Sequence, residues 1–402
     1  MNDITTPFRL PTRRGHAGRL GLLPVVSAQR WDWKAASHET NRRSGVIALA
    51  AILLCWRPAQ SHSVELTTAN PSRVNRVRVC SLLPSATEIV FALGLGQSLV
   101  GVTHECDYPA ETAGIPKVTR SHIPPGISSA EIDAAVSSSL GAAGSLYELD
   151  LPLLERLQPD LILTQRLCDV CAVSFDRVQE AAQSLASRPA VLNLEPHSLA
   201  DILDNIRAVG SACGSGEAAE RAVEALRRRI DAVRHRTETV RSRPRVFSME
   251  WVNPPYCGGH WMKELVEIAG GTDGLANLHK PSYRIEWRRV LEFAPEVIVL
   301  TCCGFGLERV AQEGEILATF EGFSGLPATK TGRIFATDGS SYFSRPGPRI
   351  VDSLEILAHL VHPELFAAPP YPGAFRTLGV PRARQHTIRI AQGMESHPRE
   401  NS

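Results

Sequence analysis

Three stretches of this chain have counterparts further along, in the same order. RVRVCSLLP at 76–84 is answered by RPRVFSMEW at 243–251, and ATEIVFALGLG at 86–96 by MKELVEIAGG at 262–271. LLERLQPDLILT at 153–164 is answered by VLEFAPEVIVLT at 290–301. Each set reads as a β-branched run, a helical period closed by glycine, and a second helix leading through proline into another apolar run. Strands that alternate with helices argue for parallel α/β units, because a parallel strand needs a crossover and the crossover helix covers the sheet. Matched elements in one register predict two similar lobes of this kind.

Local signals set the expected elements. A strand over 77–82 is closed by Pro84, and Ser85 with Glu88 three residues on reads as a capping box for a helix that stops at Gly94 and Gly96. Strands are expected at 99–103, 161–164 and 190–194, and helices at 151–157 and 173–185. In the second half, strands are expected at 245–249 and 297–301, with helices at 261–269 and 287–293. Between the halves, EAAERAVEALRRRIDAVRHRTETVR carries apolar residues at Ala218, Ala222, Val223, Leu226, Ile230 and Val233 with no glycine or proline. At helical rise that is roughly 35 Å, a stiff strut and not a hinge. The expected fold class is therefore α/β, with a lobe at 76–215, a connecting helix at 216–242 and a lobe at 243–366. Arg227, Arg228, Arg229 and Arg234 read as a solvated face of that helix, an anionic partner being the other reading.

Charge and cysteines narrow the function classes. A formal net charge of +1 over 402 residues gives no electrostatic footprint for nucleic acid. A monomer is expected. Nine cysteines spread along the chain suit free thiols better than a disulfide framework. Residues 1–75 and 367–402 read as disordered by composition. Within the first, Arg42 and Arg43, the apolar run 46–55 and small polar residues to Ser63 form a signal-like pattern. The run is too short to span a bilayer, begins far from residue 1, and places Leu54, not a small residue, before Cys55.

SLLPSATEIVFALGLGQSLVGVTHECDYP, the lobe–long helix–lobe order and the closing SRPGPRIVDSLEILAHLVHPE resemble the cobalamin and iron-chelate periplasmic-binding family, nearest its cobalamin-binding branch. The resemblance covers 74–366. It implies two similar parallel-sheet lobes joined by one long rigid helix, the class III periplasmic-binding fold. It also implies a binding protein, not an enzyme, that captures a metal-containing chelate such as cobalamin for an ABC permease. An extracytoplasmic location follows if 42–63 is a signal, and a cytoplasmic one if it is not. Glu88, Glu148 and Glu264 are candidates for carboxylates that dock on a permease.

Ligands of open parallel sheets sit outside the carboxyl ends of the strands. The loops there hold the chain's scarce aromatics, which would wall a flat macrocycle. Candidate ligand contacts are Ser85, His104, Tyr108, Trp251, Tyr256, His260, Trp261, Phe305, Tyr342 and Arg345. His104 and His260 could ligate a metal centre; alternatively, His104 is an ordinary cleft histidine and His260 caps a helix. Arg345 would pair with an anionic ligand group or with an acidic residue of the other lobe.

Cys168-x-x-Cys171 has the spacing of half a zinc site, with a redox pair, a disulfide or a plain pocket wall as other readings. With Cys106 and Cys303 it would make a cleft site for zinc or another ion, the runner-up function. A cysteine enzyme using Cys168 or Cys171 with His104 as base is the third reading.

Overall fold

A computed structural model describes residues 76–124, 126–141, 146–166, 173–367 and 371–379. The signal-like segment, Cys168 and Cys171 lie outside these residues. The first lobe runs β1 (Val79–Ser81), α1 (Pro84–Ala92), β2 (Leu99–Val102), β3 (Thr119–Ser121), α2 (Ser129–Gly141) and β4 (Tyr147–Leu149). It continues through α3 (Leu151–Leu157), β5 (Leu161–Thr164), α4 (Phe175–Ser184), β6 (Ala190–Asn193) and α5 (Leu199–Ala212). Its sheet has the order β2-β1-β5-β6, every pair parallel, while β3 and β4 form a separate antiparallel pair.

A 22-residue helix, α6 (Gly216–Thr237), leads to the second lobe. There the chain forms β7 (Val246–Trp251), β8 (Tyr256–Cys257), β9 (Gly259–His260), α7 (Met262–Ile268), β10 (Asn277–Leu278) and α8 (Trp287–Phe293). It ends with β11 (Val297–Leu300), α9 (Leu307–Gly314), α10 (Pro327–Thr331), β12 (Ile334–Thr337), α11 (Ile350–Val361) and β13 (Phe375–Thr377). The second sheet has the order β13-β12-β11-β7-β8, parallel at its centre and closed by an antiparallel strand on each edge. Residues 371–379, assigned to a tail by composition, thus carry β13: Phe375 and Arg376 pair along β12, whose edge supplies backbone partners that composition does not reveal.

The repeat has a physical basis in both lobes. Helices α3 and α8 end on left-handed residues, Gln158 at φ 41° and Ala294 at φ 48°, each followed by proline. Asp160 then accepts from the Arg78 backbone N–H at 2.8 Å, and Glu296 from that of Arg245 at 3.0 Å. The two arginines donate back to the helix ends, Arg78 to Leu157 and Gln158, Arg245 to Ala294. One clamp therefore fixes strand entry against helix exit in each lobe.

The start of α1 differs from the sequence expectation. Pro84 occupies its first turn and extended Leu83 caps it, since the fixed φ of proline suits a first helical position. Ser85 is consequently inside the helix and buried, and Glu88 reaches across to the second lobe instead of back to the cap. Helix α5 does carry a capping box, Ser198 with Asp201.

Helix α6 buries Ala219, Val223, Leu226, Ile230 and Val233 in an apolar cluster that contains residues of both lobes. At its amino end Gly210 of α5 allows close approach, because a Cβ there would lie 2.5 Å from the Ala219 Cβ. Toward the other end Arg229 donates to Asp352 at 2.6 Å and to Glu355 at 2.9 and 2.8 Å, and also to the Tyr371 hydroxyl. That arginine belongs to the joint with α11 and not to a solvated face. No helix among the described residues is long and apolar enough to cross a membrane.

Candidate functional site

Side chains of the two lobes touch in three places, most of them near the carboxyl ends of the central strands. On the first side Glu88 of α1 is nearly enclosed, its side chain 2% exposed. It accepts from Arg345 Nη1 at 3.1 Å and from Arg349 Nε and Nη2 at 2.9 and 2.6 Å. Arg345 also donates to Asp107 at 2.6 Å, so its anionic partners are side chains of the other lobe. Burial works to raise the Asp107 carboxyl, but the hydrogen bond and charge of Arg345, with Arg349 behind it, hold it below the ordinary carboxylate value. The Arg349 guanidinium lies 4.0 Å over the exposed Tyr108 ring and 5.5 Å from that of Tyr342. Ser85 is packed here too: a Cβ on Gly347 would approach its carbonyl to 3.1 Å. Buried in this network, Glu88 is not available to dock a partner.

The second contact lies nearer α6. His197, past the end of β6, faces His260 with ring centroids 5.6 Å apart, and His260 stacks on Trp261 at 5.5 Å. His260 takes a left-handed φ of 52°, and its pKa is pushed down to about 4, chiefly by burial and then by His197. Trp261 is buried and donates its indole N–H to the Phe343 carbonyl. Glu264 accepts from the Leu199 backbone at 2.7 Å and meets His279 at 3.0 Å. Behind these, the enclosed Glu250 carboxyl accepts from the Gly259 N–H, and burial raises its pKa to about 7.

The third contact is made by the first turn of α2. Ser129 donates to Glu313 at 2.6 Å, and its carbonyl accepts the Trp251 indole N–H at 3.3 Å. Tyr256 donates to Asp133 at 3.2 Å, and Arg309 to the Ile127 carbonyl at 2.6 Å. Trp251 packs on Phe305 at 4.9 Å, and Arg309 lies 4.7 Å over the Phe305 ring.

His104 stands apart, its Nδ1 2.7 Å from the Thr119 hydroxyl and its pKa lowered by burial and by Lys117. Cys106 is buried in the first-lobe core with Sγ 3.1 Å from the Thr87 hydroxyl, and burial pushes its thiol up to about 11. Cys303, partly exposed, follows β11 in the other lobe. No three His, Cys, Asp or Glu side chains converge for a metal among the described residues.

Four buried side-chain polar atoms among the described residues have no hydrogen-bond partner: Thr164 Oγ1, Asn193 Oδ1, His197 Nδ1 and His260 Nδ1. Thr164 and Asn193 end β5 and β6, His197 follows β6, and His260 ends the short strand β9. Sequence reasoning had missed His197, Arg349 and the α2–Arg309–Glu313 contact. His197 was within reach, since EPHS follows a strand as the other candidate loops do; α2 gave no comparable signal.

Two parallel-sheet lobes joined by one long helix, with aromatic rings and the His197–His260 pair between them, have the architecture of a two-lobed solute-binding protein. The chain belongs to the periplasmic binding protein family, whose pattern matches residues 79–340. Members bind solutes and perform no chemistry on them, and this chain is a substrate-binding protein of the kind that delivers small molecules to ABC permeases. It is 23% identical over 351 residues to an uncharacterized ABC transporter substrate-binding lipoprotein of Bacillus subtilis, covering 81% of this chain and 99% of that one. It is 23% identical over 281 residues to a vitamin B12-binding protein of Vibrio cholerae, covering 69% and 86% of the two chains. Among solved structures, the apo periplasmic heme-binding protein of Roseiflexus sp. RS-1 superposes with a TM-score of 0.55 at 22% identity, over 72% of this chain and 98% of that one.

Proposed function

We propose that the cleft captures a corrinoid, a planar cobalt chelate, for uptake through an ABC permease, outside the cytoplasmic membrane. The observation that carries this reading is the His197–His260 pair between the lobes, in which each ring keeps a buried Nδ1 without a partner. Buried polar atoms are nearly always satisfied, so a facing pair that is not calls for a partner from outside the chain. Both atoms are imidazole nitrogens, and burial lowers the His260 pKa to about 4, which keeps that ring in the neutral form that ligates a metal. Trp251, Phe305 and Tyr342 add ring surface for a macrocycle. The relatives named for vitamin B12 support the same ligand class. In this reading His260, with His197, would face the metal, and Tyr108 and Arg345 would act through the joint between the lobes. This reading gives Cys106 and Cys303 no part in ligand binding.

Calorimetric titration of the full chain with hydroxocobalamin tests the proposal. One-to-one binding at micromolar or tighter Kd, weakened at least tenfold in His260→Ala, is the expected result. Absence of heat with hydroxocobalamin, together with tight binding of hemin, would replace the corrinoid by an iron chelate. Loss of metal binding on chelation, with neither macrocycle bound, would sink both.

A further inference from the structure

The first turn of α2 is attached to the second lobe by groups that would otherwise face the cleft. Trp251 Nε1 and Arg309 Nη2 donate to main-chain carbonyls of Ser129 and Ile127, while Glu313 accepts from the Ser129 hydroxyl. Arg309 and Glu313 are themselves paired at 3.0 Å, and the Glu313 side chain is 7% exposed. The second lobe thus presents two N–H donors and one carboxylate acceptor beside the Trp251–Phe305 rings. What it holds there is two amide carbonyls and a hydroxyl.

We propose that Trp251, Arg309 and Glu313 form a subsite for the carboxamide edge of the ligand, and that α2 fills it with its own amides when no ligand is bound. The proposal rests on the cleft being the ligand site and deepens it by assigning the chemistry of the ligand's rim. An amide offers a carbonyl to Trp251 and Arg309 and an N–H to Glu313, so all three groups stay satisfied after α2 departs. A carboxylate rim satisfies the donors but sets a negative charge against the buried Glu313 carboxylate. Like charges at such a position reject the wrong partner more strongly than an added contact selects the right one. Glu313 is therefore the specificity determinant between amide-edged and carboxylate-edged chelates. Docking of α2 lowers apparent affinity by the fraction of molecules in which the subsite is free.

Two measurements on the full chain test this. Hydrogen exchange without ligand reads the docking: amides at 127–133 should exchange faster in Ser129→Ala and in Glu313→Gln than in wild type. Equal exchange in all three would overturn the α2 assignment. Titration with cobinamide, whose rim carries amides, and with hemin, whose rim carries carboxylates, reads the subsite. Glu313→Gln should shift the affinity ratio toward hemin by roughly tenfold, the loss of one like-charge contact. Ser129→Ala should tighten both ligands about equally and leave the ratio unchanged. A ratio that stays constant to within a factor of two in Glu313→Gln would overturn the subsite. If wild type binds neither probe, the cleft reading falls and takes the rim chemistry with it, while the exchange result still decides the docking of α2.

Discussion

Replacing Glu88 by alanine strikes the joint between the lobes at its most enclosed point. The carboxylate accepts three bonds from two guanidinium groups, at 2.6 to 3.1 Å. Each charge-assisted bond contributes roughly 1.5–3 kcal/mol, but desolvating the carboxylate offsets much of that sum. The cost of the substitution comes mainly from what remains. Arg345 keeps Asp107 at 2.6 Å, whereas Arg349, with its side chain 13% exposed, is left facing the Tyr108 and Tyr342 rings. An uncompensated charge of this kind costs about 3–5 kcal/mol. Urea denaturation should therefore show Glu88→Ala less stable by that amount. Asp107→Asn is the control: the Asp107 side chain is 60% exposed and Arg345 keeps Glu88, so only one hydrogen bond of about 1 kcal/mol is lost. A Glu88→Ala loss below about 1 kcal/mol, or an equal loss in the control, would refute the reasoning.

Two buried groups should tilt the pH dependence of stability in opposite directions. His260 titrates at about 4 in the fold against an ordinary 6.5, so its contribution is full above 6.5 and is lost as pH falls toward 4. Glu250 titrates at about 7 against 4.5, so its contribution is full below 4.5 and is lost as pH rises through 7. Denaturation between pH 4 and 7 should consequently give stability that rises with pH in Glu250→Gln and falls with pH in His260→Gln, relative to wild type; unchanged slopes would count against the burial of both. Gly210→Ala should destabilise by about 1–3 kcal/mol, read as a lower melting temperature, because its Cβ would overlap Ala219 at the α5–α6 contact. Retention of wild-type stability there would mean that the two helices can separate at no cost.

Much of the fold could be read along the chain. Helices α3 and α8 and strand β5 begin and end where glycine, proline and apolar period place them. The start of α1 was misplaced because Ser85 and Glu88 were weighed as a cap when Pro84 already fixed the first turn. The candidate site was legible to the extent that a strand end could be recognised, which is why Trp251, His260 and Arg345 were named and the contacts of α2 were not.

By itself, then, the sequence determined the two α/β lobes, the rigid helix between them and the loops that carry the cleft. Those features depend on neighbours a few residues apart, where φ/ψ preference and hydrophobic period act. Tertiary structure alone decided that Glu88 pairs with Arg345 and Arg349, 257 and 261 residues away, that His197 meets His260, and that Ser129 reaches Glu313. Such pairs form because closing the lobes buries charge and ring nitrogen that must find whatever partner the packing brings, and no local period encodes which one that is.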